Sequence, residues 1–225
     1  MSSERARTAA LAALLVVLGG CGAARAHPTL AAQSCTLPLG EELVDVRGLD
    51  RSIRVDLRYA TANNFTGERL PGYDARRALL HPGSAAALAR VQARLRAEGL
   101  GLKVFDAYRP VRATLAMVEW AERTGREWVL EQGYVARQSG HNRGNTVDLT
   151  VVRLRGGREL DMGTPFDTFS EAAHTANATG AVLENRMVLK RAMEAEGFQN
   201  YDKEWWHYRL PVADIPLDVP LSCFR

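Results

Sequence analysis

The hydrophobic pattern changes period repeatedly between residues 51 and 208, and that change limits the folds open to the chain. From Arg51 to Ala60 the apolar residues Ile53, Val55, Leu57 and Tyr59 alternate with polar ones, the period-two signature of a half-buried strand. Thr61 to Asp74, rich in Asn, Gly and Pro, reads as a loop. After a break at Pro82-Gly83, Ser84 is placed to cap a helix running to about Glu98. Leu88, Val91 and Leu95 form its buried stripe, and Gly99 and Gly101 end it. A short strand over Leu102 to Ala107 and a helix over Val111 to Thr124 follow, the latter stopped at Gly125. A loop from Gln138 to Asn145 leads into a strand from Thr146 to Leu154, and a last helix covers Glu184 to Glu196. Strands and helices mix without strict alternation. This favours an α+β architecture, a mostly antiparallel central sheet with flanking helices, over a doubly wound α/β fold.

Composition supports a globular chain, because 46% hydrophobic and 24% charged residues argue against disorder, collagen and coiled coil. No lysine/arginine run accompanies the net charge of +3, so charge gives no reason to expect a nucleic-acid or membrane-surface partner. Residues 1–26 read as an export signal: Arg5 and Arg7, an apolar run from Ala9 to Leu18, then small residues. The run is too short for a membrane-spanning helix, which needs roughly 20 residues. Leu18-Gly19-Gly20-Cys21 resembles a lipobox, which leaves Cys21 lipidated and the protein tethered to a membrane. Ala24-Arg25-Ala26 fits ordinary signal peptidase instead, releasing a chain that begins at His27. Both alternatives put the protein outside the cytoplasm, as a periplasmic, lipid-anchored or secreted form, with residues 27–225 as one domain.

Cys35 and Cys223 then remain, at opposite ends of the mature chain. In an oxidising compartment they are candidates for a disulfide, which on chain-entropy grounds contributes at most about 4–5 kcal/mol. Two unrelated buried thiols are the alternative. Neither cysteine has the sequence context of a nucleophile.

Two short segments concentrate the chemistry. Ser139-Gly-His141-Asn-Arg-Gly144-Asn-Thr-Val-Asp148 is a polar, glycine-containing loop running into a strand, and Glu204-Trp-Trp-His207 lies much later. Together they offer two imidazoles and a carboxylate as ligands, with a second carboxylate to spare. Three protein ligands leave a zinc ion an open position for water, whose pKa falls to about 7, and an unligated carboxylate can take the proton. Glu204 is the candidate for that carboxylate. Nitrogen and oxygen donors without thiolate also admit other divalent metals. On residue types alone, a loop histidine and a second histidine packed beside tryptophans remain an alternative. No His-Glu-x-x-His or Gly-x-Ser-x-Gly is present. His27, His81 and His174 have no ligand partner at useful spacing, and Trp205-Trp206 reads as a packing wall behind the site.

Ser-x-His-x-x-Gly-x-x-x-Asp followed by Glu-x-Trp-His resembles the signature of zinc D,D-peptidases. More narrowly the chain is similar to the vancomycin-resistance-type D-alanyl-D-alanine dipeptidases. Tyr59-Ala-Thr-Ala-Asn-Asn-Phe-Thr-Gly67, Asp106-Ala-Tyr-Arg-Pro110 and Asp161-Met-Gly-Thr-Pro-Phe-Asp167 extend the likeness over about residues 40 to 210. Thr146 departs from it, standing where the broader signature usually has alanine. The resemblance implies a Hedgehog-like zinc D,D-peptidase fold and one zinc ion on His141, Asp148 and His207. It implies Glu204 as general base and then acid, and Arg109 as the group stabilising the oxyanion. Tyr59 and Asp167 match positions that help bind the ammonium end of a small dipeptide, and Ser139 either binds substrate or shapes the loop. The implied reaction is hydrolysis of D-alanyl-D-alanine. A D,D-carboxypeptidase acting on peptidoglycan stem peptides and a non-catalytic zinc-containing module are the rivals. Oligomeric state is not fixed by the sequence.

Overall fold

The computed structural model describes residues 35–212 and 215–224. Its elements in chain order are β1 (Val44–Asp45), α1 (Val46–Leu49), β2 (Arg54–Val55), β3 (Leu79–Leu80), α2 (Pro82–Arg96), β4 (Leu100–Asp106), α3 (Val111–Arg123) and α4 (Trp128–Glu131). They are followed by β5 (Thr146–Arg153), α5 (Gly180–Glu194), β6 (Gln199–Asn200) and β7 (His207–Arg209). The strands form a five-stranded sheet in the order β2-β4-β5-β7-β6, with β1 and β3 as a separate pair. Among the described residues only β2 with β4 is parallel; the other strand pairings are antiparallel. The architecture is therefore mixed α+β.

Leu88, Val91 and Leu95 on α2, Leu189 and Met193 on α5, and Val147, Leu149 and Val151 on β5 are all buried in one hydrophobic core. Along β5 the side chains alternate between faces, so Thr146, Asp148 and Thr150 share the face opposite to those three valine and leucine residues. The sheet thus keeps one face for packing and frees the other for polar groups.

Three local expectations need correction. The alternation from Arg51 to Ala60 is not one strand: only Arg54–Val55 pairs, and Arg58–Ala60 is a 3-10 turn. Ile53, Leu57 and Tyr59 are buried even so, and burial alone produces the period-two pattern. Pro82-Gly83 is the first turn of α2 rather than a break, since proline at the first helical position needs no N–H partner. The cap is His81, whose Nδ1 accepts from the Gly83 amide, while Ser84 is buried with its hydroxyl unbonded. The last helix begins at Gly180, earlier than Glu184.

Cys35 and Cys223 are bonded, with Cα atoms 5.2 Å apart. The segment ending at Cys223 is a strap under the molecule. Leu217 donates its amide to Asn142 O and accepts from Val111, Leu221 donates to Gly72 O, and Val219 bonds through both backbone groups to the Tyr108 hydroxyl. Cys21 lies outside the described residues.

Candidate active site

A row of three side chains across adjacent strands founds the site. In the sheet register Asp106 on β4 stands opposite Asp148 on β5, and Asp148 stands opposite His207 on β7. An irregularity in β4 between Val104 and Asp106 sets Asp106, not Phe105, in that row. His141 joins from the turn Gly140–Arg143 immediately before β5, a turn capped by the Ser139 side chain on the His141 amide. Glu204 sits in the tight turn between β6 and β7, and His207 is the first residue of β7. The turn's shape is fixed by Asn200, whose amide donates to the carbonyls of both residues.

The ligand atoms converge. His141 Nε2 lies 3.3 Å from Asp148 Oδ2 and 3.4 Å from His207 Nδ1, and His207 Nδ1 lies 2.9 Å from Asp148 Oδ1. A tetrahedral ion with bonds of about 2.0–2.1 Å separates its ligands by about 3.3 Å, so these spacings suit one shared cation. Two further observations fit it. Asp148 Oδ1 is buried and, despite the nearby imidazole, accepts no properly directed hydrogen bond. The Nδ1 of His141 is 2.7 Å from Ala107 O, and donating there leaves the Nε2 lone pair facing the cluster. His141, Asp148 and His207 thus form a group able to hold a metal ion.

Burial opposes ionisation of Asp148, but the two histidines outweigh it and hold its carboxyl below the ordinary range. Burial likewise lowers the His207 imidazole, against the pull of Asp148. Glu204 is different. Its Oε2 is 3.5 Å from His207 Nδ1, and burial, reinforced by Asp148 and Asp167, pushes its carboxyl well above the usual value.

Arg109 is almost fully buried, and burial alone would discourage its charge; Asp106 more than compensates. Its Nε and Nη2 donate to Asp106 Oδ2 at 3.0 and 2.8 Å, and its guanidinium lies over the Tyr59 ring. Nη2 is 3.9 Å from Asp148 Oδ2, so the cation faces the ligand cluster. The Tyr59 hydroxyl donates to the Asp167 carboxylate at 2.9 Å. Asp167 carries φ +62°, a left-handed conformation uncommon outside glycine that aspartate tolerates better than most, and burial followed by the charge of Asp148 raises its carboxyl well above the ordinary value.

Tyr59, Arg109, Ser139, His141, Asp148, Asp167, Glu204 and His207 all line one cavity of about 260 Å³, with Phe65, Tyr134, Phe169 and Trp206 among its apolar walls. That is below the roughly 300–1,000 Å³ of drug-sized pockets, and it suits a small substrate. Trp206 lines the cavity and packs edge-on against Phe166, while Trp205 stands off the cavity, packed on Trp206 and donating to the Thr164 hydroxyl. The Thr146 hydroxyl donates to Asn145 and occupies the space a side chain at Gly140 would need. Cys35 and Cys223 do not line this cavity. His81 is a helix cap and His174 bonds the Tyr134 hydroxyl, so neither joins the cluster.

Sequence reasoning assigned no role to Asp106, Tyr73, Asn142 or Asn200. Asp106 also accepts from the buried Tyr73 hydroxyl at 2.5 Å and lies 3.3 Å from His141 Nδ1, which makes it the hub joining Arg109 to the metal cluster. Asn142 donates to Arg109 O. The signal for Asp106 was its place in Asp106-Ala-Tyr-Arg-Pro110; Tyr73 and Asn200 stand in stretches with no motif.

Fold and site together define a metallopeptidase. Residues 40–225 match the Peptidase_M15 family model, described as D-ala-D-ala dipeptidase, and the chain belongs to that family. A D-alanyl-D-alanine dipeptidase of Enterococcus faecalis is 39% identical, over 76% of this chain and 93% of the relative. One from Streptomyces coelicolor is 38% identical over the same shares, and one from Escherichia coli is 36% identical over 81% and 93%.

Proposed function

We propose that the protein hydrolyses D-alanyl-D-alanine to two D-alanines, with one zinc ion held by His141, Asp148 and His207. The observation that carries this reading is the convergence of three ligand atoms, an unligated carboxyl and a buried guanidinium on one small cavity. When bound, zinc supplies a Lewis acid that lets water lose a proton near neutral pH. Glu204, 3.5 Å from His207 Nδ1, takes that proton and later delivers it to the leaving amine. Arg109 offers fixed donors to the carbonyl oxygen as negative charge builds on it, a role typically worth about 3–4 kcal/mol of barrier. Asp167, with the Tyr59 hydroxyl on it, receives the ammonium end of the dipeptide, and Ser139 shapes the loop at the cavity's edge. The mixed α+β sheet is read as a Hedgehog-like arrangement on the strength of the family. The export-signal pattern supports a location outside the cytoplasm, with Cys21 as a membrane tether or with cleavage after Ala26. The intact mass of the mature protein distinguishes those two.

The test measures D-alanine released by the purified domain, with the L,L dipeptide and a chelator as controls. Rapid, D,D-selective, chelator-sensitive release is expected. Release only from N-acylated stem peptides would replace this reading with a carboxypeptidase, and no release with one zinc bound per chain would replace it with a binding module.

A further inference from the structure

Arg186 on α5 is 1% exposed, and among the described residues its donors reach no carboxylate. Nε and Nη2 donate to Met162 O at 2.9 and 2.7 Å, Nη2 also to Ala172 O at 2.9 Å, and Nη1 to His174 O at 2.7 Å. A buried guanidinium is normally paired with an acid, because charge is costly to remove from water. Here the compensation comes from carbonyls at the two ends of one loop. Between Met162 and Ala172 the chain carries Asp167 and Phe169, which line the cavity, and Phe166, which packs against the Tyr59 ring. Its length is that of an Ω-loop, whose ends meet at a neck. Among the described residues no backbone hydrogen bond joins the arm at Met162 directly to the arm at Ala172–His174; the guanidinium bridges them on one side, and Trp205 does so on another, its backbone N–H donating to Ala173 O and its indole to the Thr164 hydroxyl. Asn185, next along α5, secures the same arm by donating to Asp161 O.

We propose that Arg186 is a positioning residue for the ammonium end of the substrate. By bridging both arms it holds the loop so that Asp167, in its left-handed conformation, faces Tyr59 and the cavity. This rests on the reading of Asp167 as the ammonium partner. The planar fork of arginine spans carbonyls that the single ammonium of lysine does not.

Arg186→Lys in the mature domain tests it, with metal content and the thermal transition recorded alongside. KM for D-alanyl-D-alanine is expected to rise about tenfold or more with kcat nearly unchanged, the pattern of lost binding common to ground and transition states. The des-amino analogue, read as a competitive inhibitor, should keep its inhibition constant. In an Asp167→Asn background Arg186→Lys should add little. If the lysine variant does not fold, Gly163→Ala disturbs the same contact, since Gly163 has φ +78° and its Cβ would meet Val182 of α5 at 2.7 Å and Arg186 Nη2 at 3.4 Å, and the same selective rise in KM is expected. Equal weakening of substrate and des-amino analogue, or a fall confined to kcat, would overturn the positioning role. Asp167→Asn alone checks the underlying reading: if it does not separate substrate from analogue, the ammonium assignment fails and the proposal with it. If it does, and Arg186→Lys is silent, only the role of Arg186 fails.

Discussion

Asp106→Asn leaves shape nearly unchanged and removes one charge at the hub of the site. Asp106 is fully buried and accepts from Tyr73 on one oxygen and from Arg109 Nε and Nη2 on the other. With asparagine, the amide oxygen can serve only one of these sets. If it stays on Arg109, the amide N–H meets the Tyr73 hydroxyl, which can turn to accept, but the guanidinium has lost its counter-charge. If it stays on Tyr73, donor meets donor at Arg109. Either way a buried cation is left without its partner, with Asp148 the next carboxylate at 3.9 Å. Removing one member of such a pair typically costs about 3–5 kcal/mol of stability. Arg109 then loses its fixed aim, and the loss of one preorganised donor lowers kcat about 10²–10³-fold. Urea unfolding of the metal-free domain reads the first figure, and steady-state turnover the second. A variant that unfolds within about 1 kcal/mol of the parent and turns over within about threefold would refute the hub.

Glu204→Gln should lower kcat by about 10²–10⁴-fold, the usual share of general acid–base catalysis, while metal analysis still finds one ion per chain. Asp167 has a raised carboxyl, so above the ordinary aspartate value of 3.8 the folded metal-free protein holds its proton longer than the unfolded chain. That contribution to stability is lost as pH rises through the folded value. Asp167→Asn should therefore gain on the parent in urea melts as pH rises above the ordinary aspartate value of 3.8, and parallel pH profiles would contradict the shift. Replacing both Cys35 and Cys223 by serine opens a loop with a sequence separation of 188, for which the chain-entropy relation gives about 5 kcal/mol as an upper figure. A loss under about 1 kcal/mol would mean that the strap holds without its staple.

Much of this was readable because site and fold announce themselves by different signals. The ligands sit where polar residues interrupt strand or turn grammar, as His141 and Asp148 do at the mouth of β5. Helix stripes and glycine stops located α2 and α3 to within a few residues. What stayed hidden depends on register. Nothing local places Asp106 opposite Asp148, because a single irregularity in β4 decides which of Phe105 and Asp106 faces the cluster. Tyr59 looked like a strand residue since burial alternates there, yet the chain leaves the sheet after Val55 and turns the ring toward Asp167. Arg186 gave no warning, being one of many helix arginines until the loop wraps around it.

The strap has a consequence for when the protein becomes active. Leu217 closes hydrogen bonds with Asn142 and Val111, either side of the Arg109–His141 junction, and Leu221 closes one with Gly72. Every site residue precedes these in chain order. A polypeptide emerging from one end toward the other therefore presents its last ligand, His207, before Leu217, but cannot complete the ligands' support until Leu217 and the residues after it have followed. Activity is deferred to the end of delivery: a chain halted short of Leu217 carries the whole catalytic inventory and should remain silent.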